Sequence, residues 1–174
     1  LAISNSSEVS KEFVKGLMAG DYTFCSQFVQ KHLDDNFTLQ KVYEEILKRS
    51  LYTIGELWEA NKISVATEHL ASSLVETIIN EFYPLVITQE KTHKSVVLAC
   101  IEKETHQIGI RMVNDIFELH GWQTHFLGAN TPKNDILLYT QKVKPHLVAL
   151  SLSLYSHLNQ LEEIFVLGRF FKGK

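Results

Sequence analysis

The sequence predicts an α/β protein: a four-helix bundle followed by a doubly wound parallel-sheet domain that stops after three strands. Capping residues precede four apolar stripes at helical spacing in the first half. The hydrophobic pattern changes near residue 94. From there, three short apolar runs, rich in β-branched residues, alternate with helical stretches.

Ser7 is expected to cap a first helix that turns Val9, Phe13, Val14, Leu17 and Met18 to one face and stops at Gly20. Asp21 caps the next, with Phe24, Cys25, Phe28, Val29 and Leu33 inward. Thr38 opens a long third helix carrying Leu39, Val42, Tyr43, Ile46, Leu47, Ile54 and Leu57. Ser64 opens a fourth, with Leu70, Leu74, Ile78 and Phe82 inward and Pro84 near its end. These helices assign residues 1–84 to a helical-bundle domain, and 84–94 reads as a linker. The second domain, 95–174, starts with "SVVLACI" (95–101), the pattern of a strand buried on both faces. A loop and a helix ending near Gly121 lead to a second strand, "QTHFLG" (123–128). Thr131 and Pro132 then suit the cap and first position of a helix. "LVALSLS" (147–153) is the third strand, with a helical segment from about Asn159.

Composition limits the function. Hydrophobic residues make up 45% of the chain and charged residues 21%, enough to bury a core. The net charge of -3, without a basic run, speaks against nucleic-acid binding by this segment itself. No apolar run reaches the ~18–20 residues of a membrane span, and the first residues lack the pattern of a signal peptide. Cys25 and Cys100 lie far apart in apolar runs, which fits inert buried thiols in a cytoplasmic protein.

In a doubly wound sheet, ligands collect beyond the carboxyl ends of the strands. The first such loop, "EKETHQIG", places Glu104 two residues before His106 and Gly109 three after it. A carboxylate on one imidazole nitrogen would fix the tautomer and leave the other nitrogen for a metal. One His cannot build a zinc site, so a metal on His106 would arrive held by something else, as in a macrocycle. Two exposed loop residues with no such task would show the same spacing. The second loop, "LGANTP", needs Gly128 for a special backbone angle or close approach. The third carries Ser151, Ser153, Tyr155 and Ser156, which either line a ligand channel or cap a helix, with His157 close by.

In combination these motifs resemble the cobalamin-binding module of methionine synthase and the corrinoid methyltransferases. That family carries Asp-x-His-x-x-Gly, 41 residues, Ser-x-Leu and later Gly-Gly on a flavodoxin-like sheet. Here 41 residues separate Gly109 from Ser151. The resemblance implies that His106 is the lower cobalt ligand, with Glu104, Gly109, Gly128, Ser151 and Ser153 at the cofactor. The sequence departs from the family at three points: Glu104 replaces Asp, Ser153 replaces Leu, and the Gly-Gly pair and last two strands are missing, as if the domain were truncated.

A second motif narrows the resemblance. In "WEANKISVATEH", Trp58 is followed by nine residues and then Glu68-His69. With Glu-x-His-x-x-Gly, this resembles the adenosylcobalamin-dependent photoreceptor regulators of transcription, without their DNA-binding domain. The resemblance implies that Trp58 lies against the adenosyl group, that Glu68 shields it and that His69 binds cobalt after light has broken the cobalt–carbon bond. It also implies a non-enzymatic light sensor that forms a dimer or tetramer in the dark. Taken as residues alone, Trp58 at a helix end suits packing on a neighbouring helix, and the dipole favours Glu68 in a first turn. The alternatives are a methyl carrier using methylcobalamin and a degenerate module that binds no cobalamin.

Overall fold

The computed structural model describes residues 2–35, 37–87, 90–153, 158–159 and 161–164. The chain forms two compact units, residues 1–85 and 86–174.

The first unit is helical: α1 (Ala2–Ala19), α2 (Tyr22–Asp34), α3 (Leu39–Val42), a π-helical stretch (Tyr43–Lys48), α4 (Arg49–Glu59) and α5 (Val65–Phe82). From α3 through α4 the backbone runs on without a break, so four rods pack together. Three starts are fixed by side-chain caps. Asp21 Oδ1 accepts the Phe24 N–H at 2.9 Å, Thr38 Oγ1 that of Lys41 at 3.2 Å, and Ser64 Oγ that of Thr67 at 3.2 Å. Ser7 is not a cap, because α1 begins at Ala2. No glycine or proline upstream breaks the helical path, so it continues past the hydroxyl.

The core of this unit is Phe13, Leu17, Val29, Val42, Ile46, Leu47, Ile54, Val75, Ile78 and Ile79, all nearly or fully buried. Two expected inward residues point outward: Met18 is 41% exposed and Leu70 46%. On α5 the buried stripe is Ala71, Leu74, Val75, Ile78, Ile79 and Phe82, and Leu70 lies one residue outside it. Met18 likewise follows the buried Leu17 and is rotated about 100° from it.

The second unit contains β1 (Ser95–Ile101), α6 (Ile108–Leu119), β2 (Gln123–Thr131), α7 (Lys133–Val143) and β3 (Leu147–Ser151), then helical backbone at 158–159 and 161–164. The strands are parallel in the order β2-β1-β3. β1 is central, and Val96 through Ile101 are fully buried. Alternation along β1 divides the core. Val96, Leu98 and Cys100 pack with Ile110 and Phe117 of α6. Ala99 and Ile101 pack with Ile136 of α7 and with Ile164. Both faces are covered, as a doubly wound sheet requires.

β2 extends past the expected Gly128 to Thr131, through register irregularities opposite Leu98–Ile101. Gly128 at φ +82 and Asn130 at φ +50 bend the strand there. β3 ends at Ser151, two residues short of the expected end. Helix α7 takes Pro132 as its cap residue, and the Thr131 hydroxyl donates instead to the Gly128 carbonyl at 3.3 Å. Residues 90–94 of the expected linker dock on the second unit: Thr92 N–H donates to Gly121 O at 2.8 Å and Gln123 N–H to Lys94 O at 2.9 Å. Among the described residues, no helix is long and apolar enough to cross a membrane.

Gly121 holds this docking. Its φ is +76, and a Cβ there would lie 2.2 Å from the Glu90 carbonyl oxygen. We expect Gly121→Ala to destabilise the fold by more than about 1 kcal/mol, read as a lower urea midpoint. An unchanged midpoint would show that residues 90–94 move aside freely.

Candidate functional site

The candidate site lies in the second unit, on the loop that joins β1 to α6. The loop turns at once, with Glu104 N–H donating to Ile101 O at 3.0 Å and Lys103 in a left-handed conformation at φ +68. The turn puts the Glu104 side chain inside the protein, where it is 1% exposed. His106 stands on the surface with its side chain 71% exposed.

A buried carboxylate is costly unless its lone pairs are met. Glu104 meets them with four donors from two residues. Its Oε1 accepts from His106 N–H at 2.8 Å and lies 2.6 Å from His106 Nδ1. Its Oε2 accepts from the Ser153 N–H and the Ser153 hydroxyl, each at 2.5 Å. Burial alone would push the carboxyl pKa up, but the Ser153 and His106 donors outweigh it and hold Glu104 at about 2. Glu104 is therefore ionised at neutral pH and has no proton to give. His106 Nδ1 must carry the proton of their shared hydrogen bond. In neutral His106 this leaves Nε2 as a bare lone pair on the exposed side of the ring. Ser153 Oγ, 2.9 Å from Nδ1, is a second acceptor for the same proton.

The remaining loop residues crowd the imidazole little. Gly109 lies inside the first turn of α6 and has no positive φ. A Cβ at Gly109 would meet nothing within 4 Å, which leaves open space beside the loop. At Gly128 the positive φ is used, and an added Cβ would lie 3.6 Å from Gln107 Oε1. Ser151 ends β3 in register with Cys100, and the hydroxyl that reaches Glu104 is that of Ser153. Burial, aided by the Glu104 charge, pushes the Cys100 thiol up to about 11, and burial with the charge of Asp21 takes Cys25 to about 12. Both thiols stay protonated at neutral pH and are poor ligands. Tyr155, Ser156 and His157 lie outside the described residues.

This geometry fits a corrinoid on one point in particular. It offers a single oriented imidazole nitrogen, and among the described residues no three His, Cys, Asp or Glu side chains gather as a metal cage. His106 would be the residue that holds such a group, and Glu104 with Ser153 would orient it.

In the first unit, the other expected site residues form a hairpin. Trp58 sits at the end of α4 and is 47% exposed. Its carbonyl accepts the N–H of Asn61, whose left-handed φ of +54 ends the helix. Glu68 lies in the first turn of α5, where its Oε1 accepts the Ser72 hydroxyl at 2.7 Å. Its Oε2 is 3.5 Å from Nε2 of His69, whose side chain is 75% exposed. Of the other described histidines, His32 and His120 each lie 2.8 Å from a carbonyl one turn back, His125 Nδ1 lies 3.1 Å from the Tyr139 hydroxyl, and His146 accepts from Ser95 N–H at 3.1 Å. Asn130, which was not among the expected site residues, contacts the Glu104 loop directly.

Removing the Glu104 carboxylate would leave four donors without their acceptor. Because its folded pKa lies below the value of 4.5 for a free carboxyl, ionised Glu104 stabilises the fold fully above about pH 4.5. That contribution is lost as pH falls toward 2. Glu104→Ala should thus cost about 3 kcal/mol at pH 7 in urea unfolding, with the difference from wild type shrinking in acid. A difference independent of pH would contradict this.

Comparison with known proteins places the chain. A family model described as "B12 binding domain" matches residues 9–82, and a second with the same description matches residues 94–168. The HTH-type transcriptional repressor CarH of Myxococcus xanthus is 29% identical over 112 residues, which cover 64% of this chain and 36% of the relative. The HTH-type transcriptional repressor CarA of the same organism is 30% identical over 90 residues, covering 52% and 31%. The chain thus spans about a third of the length of these curated relatives. Its fold is similar to that of the Methanosarcina barkeri monomethylamine corrinoid protein, with a TM-score of 0.76 and 14% identity over 91% of this chain and 76% of that one. With one B12-binding match on its helical unit and another on its sheet unit, the chain belongs to the B12-binding domain family.

Proposed function

We propose that this chain is a light-sensing module. It binds adenosylcobalamin with His106 as the lower cobalt ligand, and it converts light into a change of conformation and self-assembly that regulates transcription. The observation that carries the proposal is the saturated Glu104, which leaves His106 Nε2 as an oriented and exposed donor. The sensor role, as against other cobalamin roles, is supported by Trp58 and the Glu68–His69 pair, and by the similarity to proteins named as transcriptional repressors.

When bound, adenosylcobalamin supplies a weak cobalt–carbon bond that light can break. The residues divide the work around it. Glu104 and Ser153 keep the His106 proton on Nδ1. Gly109 and Gly128 leave room for close backbone approach, and Ser151 lies at the same strand ends. The Trp58 indole is large and rigid, suited to packing on a flat purine. Losing that purine would cost a few kcal/mol on the scale of large-to-small core changes, enough to bias a two-state arrangement. Glu68 would shield the adenosyl group, and His69, exposed and 3.5 Å from Glu68, would be the residue to hold cobalt afterwards. Copies of the chain associate in the dark and separate in light.

The test is reconstitution with adenosylcobalamin in the dark, followed by illumination. We expect a change in absorbance together with a change in size-exclusion elution, the latter weakened in Trp58→Ala. Unchanged absorbance and elution would refute the sensor. Preference for methylcobalamin, with methyl transfer to a partner enzyme, would mark a carrier instead. Failure to retain any cobalamin in dialysis would mark a module that has lost the cofactor.

A further inference from the structure

We infer that Asn130, at the end of β2, is the positioning residue that sets the His106 loop, so that cobalamin affinity depends on a side chain outside the cofactor motif. The inference rests on His106 being the lower ligand.

Asn130 grips the loop twice. Its side-chain oxygen accepts the Lys103 N–H at 2.8 Å, and its own N–H donates to the Glu104 carbonyl at 2.8 Å. These bonds bracket the Lys103–Glu104 pair, directly before the carboxylate that orients His106. They hold Lys103 at φ +68, a left-handed conformation that strains a residue with a Cβ. Without the grip, Lys103 would relax to negative φ, and the following peptide and the Glu104 side chain would turn with it. Asn130 is itself left-handed at φ +50. The position therefore asks for a residue that tolerates this region and also carries a short acceptor. Asn and Asp meet both demands, Gly only the first, and Ala neither. The turn that presents Asn130 is in turn closed by the Thr131 hydroxyl on Gly128 O. One strand end thus shapes the loop of its neighbour.

The probe is cob(II)alamin bound to protein labelled with ¹⁵N-histidine. An axial ¹⁵N splits the paramagnetic resonance lines into doublets, whereas the cofactor's own ¹⁴N base gives triplets. Wild type should give doublets. Asn130→Gly keeps the left-handed conformation but loses the acceptor. It should bind cobalamin roughly tenfold to a hundredfold more weakly, with the doublet replaced by the triplet. Asn130→Asp should stay close to wild type. Adding Lys103→Gly to Asn130→Gly should restore much of the doublet, because glycine sits at positive φ without strain. Doublets and affinity unchanged in Asn130→Gly would overturn the inference. Hydrogen exchange in the wild-type apo-protein gives a check that needs no variant: the Lys103 amide should be protected, and rapid exchange would overturn the inference as well. His106→Ala separates the two levels. If it still gives doublets, the lower-ligand assignment fails. If it loses them while Asn130→Gly does not, only the role of Asn130 fails.

Discussion

A carboxylate that is 1% exposed and has no lysine or arginine bonded to it must be balanced by hydrogen-bond donors. In Glu104 that balance is complete: two N–H groups, one hydroxyl and one imidazole fill both oxygens. The donors come from His106 on the β1–α6 loop and from Ser153 just beyond β3, so one side chain ties two strand ends together. It also decides where the imidazole proton sits. An ionised Glu104 allows only Nδ1–H, and the nitrogen that faces out is therefore the one able to bind a metal. Fold stability and ligand presentation are thus the same set of hydrogen bonds. The longer Glu in place of the family's Asp is no obstacle, because it reaches the backbone N–H and Nδ1 of His106 and still spans to Ser153.

The two units supply different kinds of chemistry. The sheet unit presents a fixed donor on a rigid frame, since β1 is buried from Val96 to Ile101 and its neighbours hold it in register. The helical unit offers at a hairpin an exposed indole, a half-buried carboxylate anchored by Ser72, and an exposed imidazole 3.5 Å from that carboxylate. The first unit is suited to residues that must respond, and the second to one that must not move. In the proposed sensor this difference is functional. Binding needs His106 held still, whereas signalling needs Trp58 and His69 to change surroundings.

Much of the fold could be read from the sequence where its cause is local. Asp21, Thr38 and Ser64 cap their helices because a short oxygen-bearing side chain meets the free N–H groups of the next turn. "SVVLACI" is a strand over all of its expected length because buried β-branched residues allow little else. The misses have long-range or backbone causes. Ser7 resembled a cap, but the preceding residues continue the helix. Met18 and Leu70 fit the helical period, yet each lies one residue off the face that the neighbouring helices bury. The extension of β2 follows from two left-handed residues, and no hydrophobic pattern records it. The Glu104–His106 spacing was visible as a pair. The meeting of both with Ser153, and the double grip of Asn130, join residues about 25 to 50 positions apart in sequence. The Asn in "LGANTP", set between a strand and a Pro-started helix, was the available signal.

The central claim is that a buried, ionised Glu104 fixes the His106 tautomer before any cofactor arrives. Long-range ¹H–¹⁵N correlation spectra of the ¹⁵N-histidine-labelled apo-protein test it most directly, with His106 in its neutral form. The account predicts a pyrrole-type shift for Nδ1, which carries the proton, and a pyridine-type shift for Nε2, and it predicts that Glu104→Gln disturbs this pattern. A proton resident on Nε2, or an averaged pair of shifts like that of a free histidine, would contradict it.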